Sequence, residues 1–282
     1  MTAEGFVPFR GHRTWYRVVG EEAPGRLPLL CLHGGPGSSS AYHERLEALA
    51  GDGRRVVRYD QLGCGESDRP EDDSLWTVEL FVAEVQAVRD ALGLDRVHVL
   101  GTSWGGMLAQ EYALTQPPGL ASLVLSSTLA SAAQWVAEAQ RLLAELGPDA
   151  TDDDFDAKHF CRLDPQPPEM ELWQAKRNPA VYEAMWGPNE YTCTGVLSGW
   201  DIRDRRGEIR VPTRVVSGRY DMCTASVAKT LVDGIPGAEQ VLMEASSHTP
   251  VIEEPERYRA VVGEFLRRVE AGRTAGSDPV RV

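Results

Sequence analysis

Ser103 lies at the centre of Gly101-Thr102-Ser103-Trp104-Gly105, after the apolar run Arg96-Val97-His98-Val99-Leu100 and before the helix-forming stretch Met107-Leu108-Ala109-Gln110-Glu111-Tyr112-Ala113. Strand, sharp turn and helix in that order raise a serine hydroxyl on an exposed apex, the arrangement of a nucleophile elbow. Such a turn leaves no room for a side chain two positions before or after the serine, and Gly101 and Gly105 meet that condition. Serine is a weak nucleophile near neutral pH, so the chemistry implied is acyl transfer assisted by a general base and an orienting acid.

Acyl transfer also needs backbone N–H donors aimed at the oxygen that becomes negative in the tetrahedral intermediate. The apolar run Leu27-Pro28-Leu29-Leu30-Cys31-Leu32 predicts a buried strand, and it ends in His33-Gly34-Gly35-Pro36-Gly37, where glycines let the backbone come close to a ligand. One donor is assigned to the Gly35 amide and the other to the amide of Trp104, the residue after the nucleophile. His33 is expected to be a structural imidazole bonded within its own loop.

Hydrolases with this elbow carry their partners in the order serine, acid, histidine. A strand at Val211 to Gly218 is followed by Arg219-Tyr220-Asp221, and a strand at Gln240 to Met243 by Ser246-Ser247-His248-Thr249-Pro250. Asp221 and His248 therefore fall on loops at the sheet edge that bears Ser103. Of the other histidines, His98 is expected in the core, and His12, His43 and His159 lack a strand-end setting.

Together, the motif at 33–37, Asp60-Gln61-Leu62-Gly63-Cys64-Gly65-Glu66-Ser67-Asp68, Gly101 to Gly106, and Gly187-Pro188-Asn189-Glu190-Tyr191 resemble the proline iminopeptidase family of α/β-hydrolases, over residues 12 to 270. The first and third motifs are widespread among such hydrolases, whereas the second and fourth are much narrower. The resemblance implies an α/β-hydrolase fold with an inserted helical cap, and a serine aminopeptidase needing no metal or organic cofactor. It implies that Glu190, in the cap, binds the free α-ammonium of the substrate, with Gly34, Trp186, Tyr191 and Met222 also at the substrate site. Some family peptidases follow the triad aspartate with a second glutamate that shares the ammonium; here Met222 stands in that position. A cation held by one carboxylate is poorly compensated for its desolvation. Glu66, Asp68 and Asp201 are the candidate replacements by motif, and Met222→Glu is expected to tighten the hold on the amine. The departure extends the expected substrates from short peptides with a free amino group to aminoacyl amides of small-molecule biosynthetic intermediates.

Esterases, lactonases and thioesterases use the same triad and form the alternative reading, with a non-catalytic ligand receptor behind them. Glu190 favours the amine. Hydrolases of this fold with a carboxylate nucleophile are excluded by Ser103.

The 282-residue chain is long enough for one sizeable core plus an insertion. Its net charge of −13 disfavours nucleic acid and anionic membranes, and no apolar run approaches a membrane span. The five cysteines, 31, 64, 161, 193 and 223, show no metal-ligand spacing; an odd count without a signal peptide points to reduced thiols in the cytoplasm. Cys64 is expected to be a small packing residue. A monomer or small homo-oligomer is expected.

The elements that must position these residues alternate. Strands are expected near 15–20, 27–33, 54–59, 96–101, 121–127, 211–217 and 239–243, with helices near 41–51, 77–92, 104–116, 224–233 and 255–270. Alternation of this kind means a mostly parallel sheet covered on both faces. The expected division is a core of 1–130 and 206–270, a helical cap of 131–205 with Asp-rich and Pro-rich interruptions, and a loose polar tail of 271–282. Within the cap, Trp135 and Trp173 are expected in its core and Trp186 at the pocket.

Overall fold

A computed structural model describes residues 1–272. Eight strands form one sheet: β1 (Thr2–Phe9), β2 (His12–Val19), β3 (Leu29–Leu32), β4 (Val56–Tyr59), β5 (Val97–Thr102), β6 (Leu120–Ser126), β7 (Thr213–Gly218) and β8 (Glu239–Met243). Their spatial order is β1-β2-β4-β3-β5-β6-β7-β8. The β1–β2 and β2–β4 pairs are antiparallel and the rest parallel.

Seven of these strands are the ones the sequence pattern predicts. β1 is additional. It is an edge strand that buries only Val7 and Phe9, so its alternation is weak, and Pro8 is tolerated because an edge needs fewer ladder donors. Arg10 and Gly11, with φ of 49° and 84°, close the hairpin to β2 in the left-handed geometry that suits a two-residue turn.

The helices are α1 (Val78–Ala91), α2 (Trp104–Leu114), α3 (Ala132–Leu146), α4 (Asp152–His159), α5 (Pro168–Lys176), α6 (Pro179–Met185), α7 (Ala225–Gly234), α8 (Pro250–Glu253) and α9 (Pro255–Glu270). The expected helix near 41–51 is 3₁₀ in character, over Ala41–Asp52. Successive strand residues point to opposite faces, so the sheet carries two cores. Leu30 and Leu32 join α1 and α2 side chains such as Val85, Val88 and Leu108 on one face. Leu29 and Cys31 meet Tyr258, Val262, Phe265 and Leu266 of α9 on the other.

α9 ends in a buried charge network. Glu270 accepts from Arg54 at 2.8 Å, Arg26 at 2.9 Å and the Leu27 amide at 2.9 Å. Burial raises the Glu270 pKa, but His98, the Leu27 amide and the two arginines outweigh it and hold the carboxyl down at about 2. His98 is buried in the core as expected, with Nδ1 against Ser122 Oγ at 2.7 Å.

Between β6 and β7 the strand rhythm stops, and α3 to α6 fill the interval. The Asp-rich stretch expected to interrupt a cap is itself α4, closed at its start by a reciprocal capping box between Thr151 and Asp154. Of the expected tail, residues 273–282 lie outside the described residues.

Candidate active site

β5 runs into α2 through Ser103, whose φ of 55° and ψ of −123° are a strained pair for a residue with a side chain. The two glycines are required by contact. A Cβ on Gly101 would sit 2.1 Å from the Gly105 carbonyl oxygen, and one on Gly105 would sit 2.1 Å from that of Leu32. The turn is pinned by Ser103 N–H donating to Ser126 O at 2.9 Å and by Thr128 Oγ1 donating to Ser103 O at 2.7 Å.

At the neighbouring strand ends, Asp221 follows β7 and His248 follows β8. A Cβ on Gly218 would lie 2.1 Å from Ser247 O, so glycine lets the two loops close together. His248 Nδ1 lies 2.8 Å from Asp221 Oδ1, and the same oxygen accepts from the Cys223 amide at 2.7 Å. Both side chains are buried. Burial lowers the His248 pKa, but Asp221 raises it by charge and hydrogen bond, helped by Glu190 and Glu253, and the net position is above the ordinary imidazole value. Glu253 also fixes the histidine loop, accepting from the Ser247 amide and hydroxyl, each at 2.9 Å. Trp135, buried as expected, meets the His248 ring edge-on with centroids 5.7 Å apart.

The glycine loop after β3 is held from below. His33 Nε2 accepts from the Gln61 amide at 2.9 Å, leaving Nδ1 to donate to Gly34 O at 2.8 Å, so this imidazole is consumed by structure. Gln61 also donates to His33 O at 2.9 Å and accepts from Trp104 Nε1 at 2.8 Å, tying the glycine loop to the elbow. The Gly34 amide is occupied by Tyr42 Oη at 2.7 Å. The amides of Gly35 and Trp104 carry no hydrogen bond to protein groups among the described residues. Cys64 is a buried thiol near this loop, pushed far above its usual pKa by burial.

Ser103, His248, Gly34, Gly35, Glu190 and Tyr191 line one cavity. Tyr182 Oη donates to Glu190 Oε1 at 2.8 Å, and Tyr191 Oη donates to Asp152. The cavity also takes in Asp152, Phe155 and Asp156 of α4, with Phe160, Trp173, Arg177 and Tyr182. His159, at the end of α4, donates from Nδ1 to Tyr220 O at 2.8 Å, fastening this helix to the turn that holds Asp221.

Several expected placements are corrected. Trp186 does not line the cavity: it is buried, and its Nε1 donates to Asn189 O at 2.9 Å, shaping the Glu190 loop from behind. Trp173 does the reverse, lining the cavity with its ring against Phe160 at 5.2 Å. Met222 is fully buried in the core outside the cavity, because the Asp221 turn directs it inward. The three acids proposed to replace the second glutamate are spent on surface pairs: Glu66 with Lys176 at 2.7 Å, Asp68 with Arg13 at 3.0 Å and Asp201 with Arg203 at 2.6 Å.

Residues 28–255 match the alpha/beta hydrolase fold family, so the site stands on a hydrolase scaffold of that class. The chain is 42% identical to a proline iminopeptidase of Lactobacillus helveticus, covering 93% of this chain and 97% of the relative. A crystal structure of proline iminopeptidase from Mycobacterium smegmatis superposes with a TM-score of 0.89 at 36% identity, covering 96% of this chain and 99% of that one. That of VinJ superposes with 0.90 at 37% identity, over 95% and 99%. The chain belongs to the proline iminopeptidase family of α/β-hydrolases.

Among the described residues no helix is long and apolar enough to cross a membrane, and no group of three or more His, Cys, Asp and Glu residues is arranged to hold a metal ion.

Proposed function

We propose that the chain is a serine aminopeptidase that releases an N-terminal aminoacyl group from an amide, by two-step acyl transfer. His248 takes the Ser103 proton as the hydroxyl attacks the substrate carbonyl; Asp221 holds Nδ1–H and stabilises the imidazolium. The amides of Gly35 and Trp104 receive the oxyanion. His248 then returns the proton to the leaving amine, and water activated by the same imidazole resolves the acyl-enzyme. The reading is carried by one arrangement: the Asp221–His248 bond of 2.8 Å stands behind a cavity whose wall includes Ser103 at the reacting end and Glu190 in the cap. Glu190 supplies the negative charge that a free α-ammonium requires. The aromatic wall of Phe155, Phe160, Trp173 and Tyr182 suits an apolar aminoacyl side chain, prolyl or alanyl first. Short peptides and aminoacyl-capped small molecules both present this group, and a cytoplasmic setting suits the unpaired thiols.

Labelling with a fluorophosphonate, followed by a panel of aminoacyl arylamides beside simple acyl esters, tests the reading. Labelling at Ser103 with turnover of free aminoacyl arylamides is the expected result. Labelling with ester turnover alone would transfer the assignment to the esterase or lactonase reading, and absence of labelling would remove the nucleophile.

A further inference from the structure

α4 delivers to the cavity an acid that the triad chemistry does not use. Asp152 and Asp156 are four positions apart, one helical turn, and both line the cavity beside Glu190. Asp152 is engaged by Tyr191 and Glu190 by Tyr182. The Asp156 carboxylate has no hydrogen bond or ion pair among the described residues, although it opens into the cavity. Arg177 is the only arginine or lysine among the described lining residues, and it lies over the rings of Trp173 and Tyr182, at 4.9 and 5.6 Å, rather than in an ion pair. Three carboxylates against one guanidinium leave a negative excess beside the reacting serine and histidine, and a substrate cation would neutralise it.

We infer that Asp156 is the second acid of the substrate's ammonium site, doing from the cap what the buried Met222 cannot do from the triad loop, and that Glu190 and Asp156 together select substrates with a free α-amine. This rests on the aminopeptidase reading above. The groups facing Asp156 are Glu190, Asp152, Arg177, His248 and the hydroxyls of Tyr182 and Tyr191. Asp156 keeps a solvent-exposed edge, yet desolvation on its cavity side, then Glu190 and Asp152, lift its carboxyl to about 6 against the pull of Arg177 and His248. An incoming ammonium favours the ionised carboxylate, so binding the amine displaces the Asp156 proton, and acid weakens that binding.

The test compares Asp156→Asn and Asp156→Glu with the wild type on alanyl p-nitroanilide and on p-nitrophenyl acetate. Asp156→Asn should raise KM for the aminoacyl substrate more than it lowers kcat and cut the amine-over-ester preference about fivefold, the upper value of one screened charge contact. Asp156→Glu should restore most of that preference. In the wild type, the acid limb of kcat/KM should be steeper for the aminoacyl substrate than for the ester, because Asp156 and His248 both protonate. In Asp156→Asn the two limbs should have equal steepness. Equal losses on both substrates, an unchanged limb, or an Asp156→Glu no better than Asp156→Asn would overturn the inference. A selective Glu190→Gln beside an unselective Asp156→Asn would sink this inference alone, whereas a wild type inert toward every aminoacyl substrate would sink the aminopeptidase reading with it.

Discussion

Tyr182 Oη donates to Glu190 Oε1 across 2.8 Å, joining α6 to the loop that follows it. The bond orients one carboxylate oxygen and leaves the other without a partner among the described residues, at the cavity wall. Glu190→Gln keeps the shape and removes the charge. Breaking a buried charge pair costs about 3 to 5 kcal/mol, and the partial exposure of Glu190 reduces this, so kcat/KM for free aminoacyl amides should fall about a hundredfold. Simple ester hydrolysis should change far less, having no cation to place. Steady-state kinetics on the two substrate classes decide it; equal losses would make the carboxylate structural.

Ser103→Ala removes the proposed nucleophile, and His248→Ala its proposed base. Residues that act as a unit lose activity non-additively, so the double variant should be scarcely slower than either single one. Additive losses in kcat would break the assignment of a shared proton transfer.

The acid limb of kcat/KM reports protonation of the free-enzyme base. Since Asp221, Glu190 and Glu253 outweigh burial and raise the His248 pKa, the limb measured on an ester should lie above the ordinary imidazole value of about 6.5. Asp221→Asn removes the largest raising contribution, so the limb should move to lower pH while kcat falls by about three to four orders of magnitude. A limb that stayed in place in Asp221→Asn would mean that the aspartate does not face the base in solution.

Met222→Glu is expected from the chain alone to tighten the hold on the amine. Met222 is 0% exposed and packed in the core, so the substitution should instead bury an unpaired carboxylate, lower Tm and leave amine selectivity without gain. A well-folded Met222→Glu with a lower KM for aminoacyl arylamides would restore the original expectation.

Glu270→Gln should destabilise the fold by about 3 to 5 kcal/mol, because it leaves the fully buried Arg54 without its counter-charge. The Glu270 pKa is depressed from 4.5 to about 2, so the stability it contributes is complete above pH 4.5 and lost as pH falls toward 2. Urea unfolding of both proteins across that window should show the difference between them narrowing as the pH falls.

The elbow, the glycine loop and the two strand-end partners are legible in the chain because each depends on local requirements: glycine where a Cβ has no room, apolar runs that end at one edge, and a fixed order of residues. Glu190 is legible through its motif. The Asp60-Gln61 motif is visible as a signature, but its work is tertiary. Only the folded chain brings Gln61 within reach of both His33 and Trp104.

The cap divides differently. Its tryptophans resemble one another in the sequence, and burial alone separates Trp186, behind the Glu190 loop, from Trp173 on the cavity wall. Asp152 and Asp156 belong to a stretch whose low apolar content hides a helix, and their convergence with Glu190 depends on how α4 packs across the strand ends. The sequence by itself determined the hydrolase scaffold and the strand-end positions of Ser103, Asp221 and His248, since strand, turn and helix signals are carried within a few residues. Which acids meet at the cavity wall was decided only by the tertiary structure, because charge neighbours are set by distances between segments that no local pattern encodes.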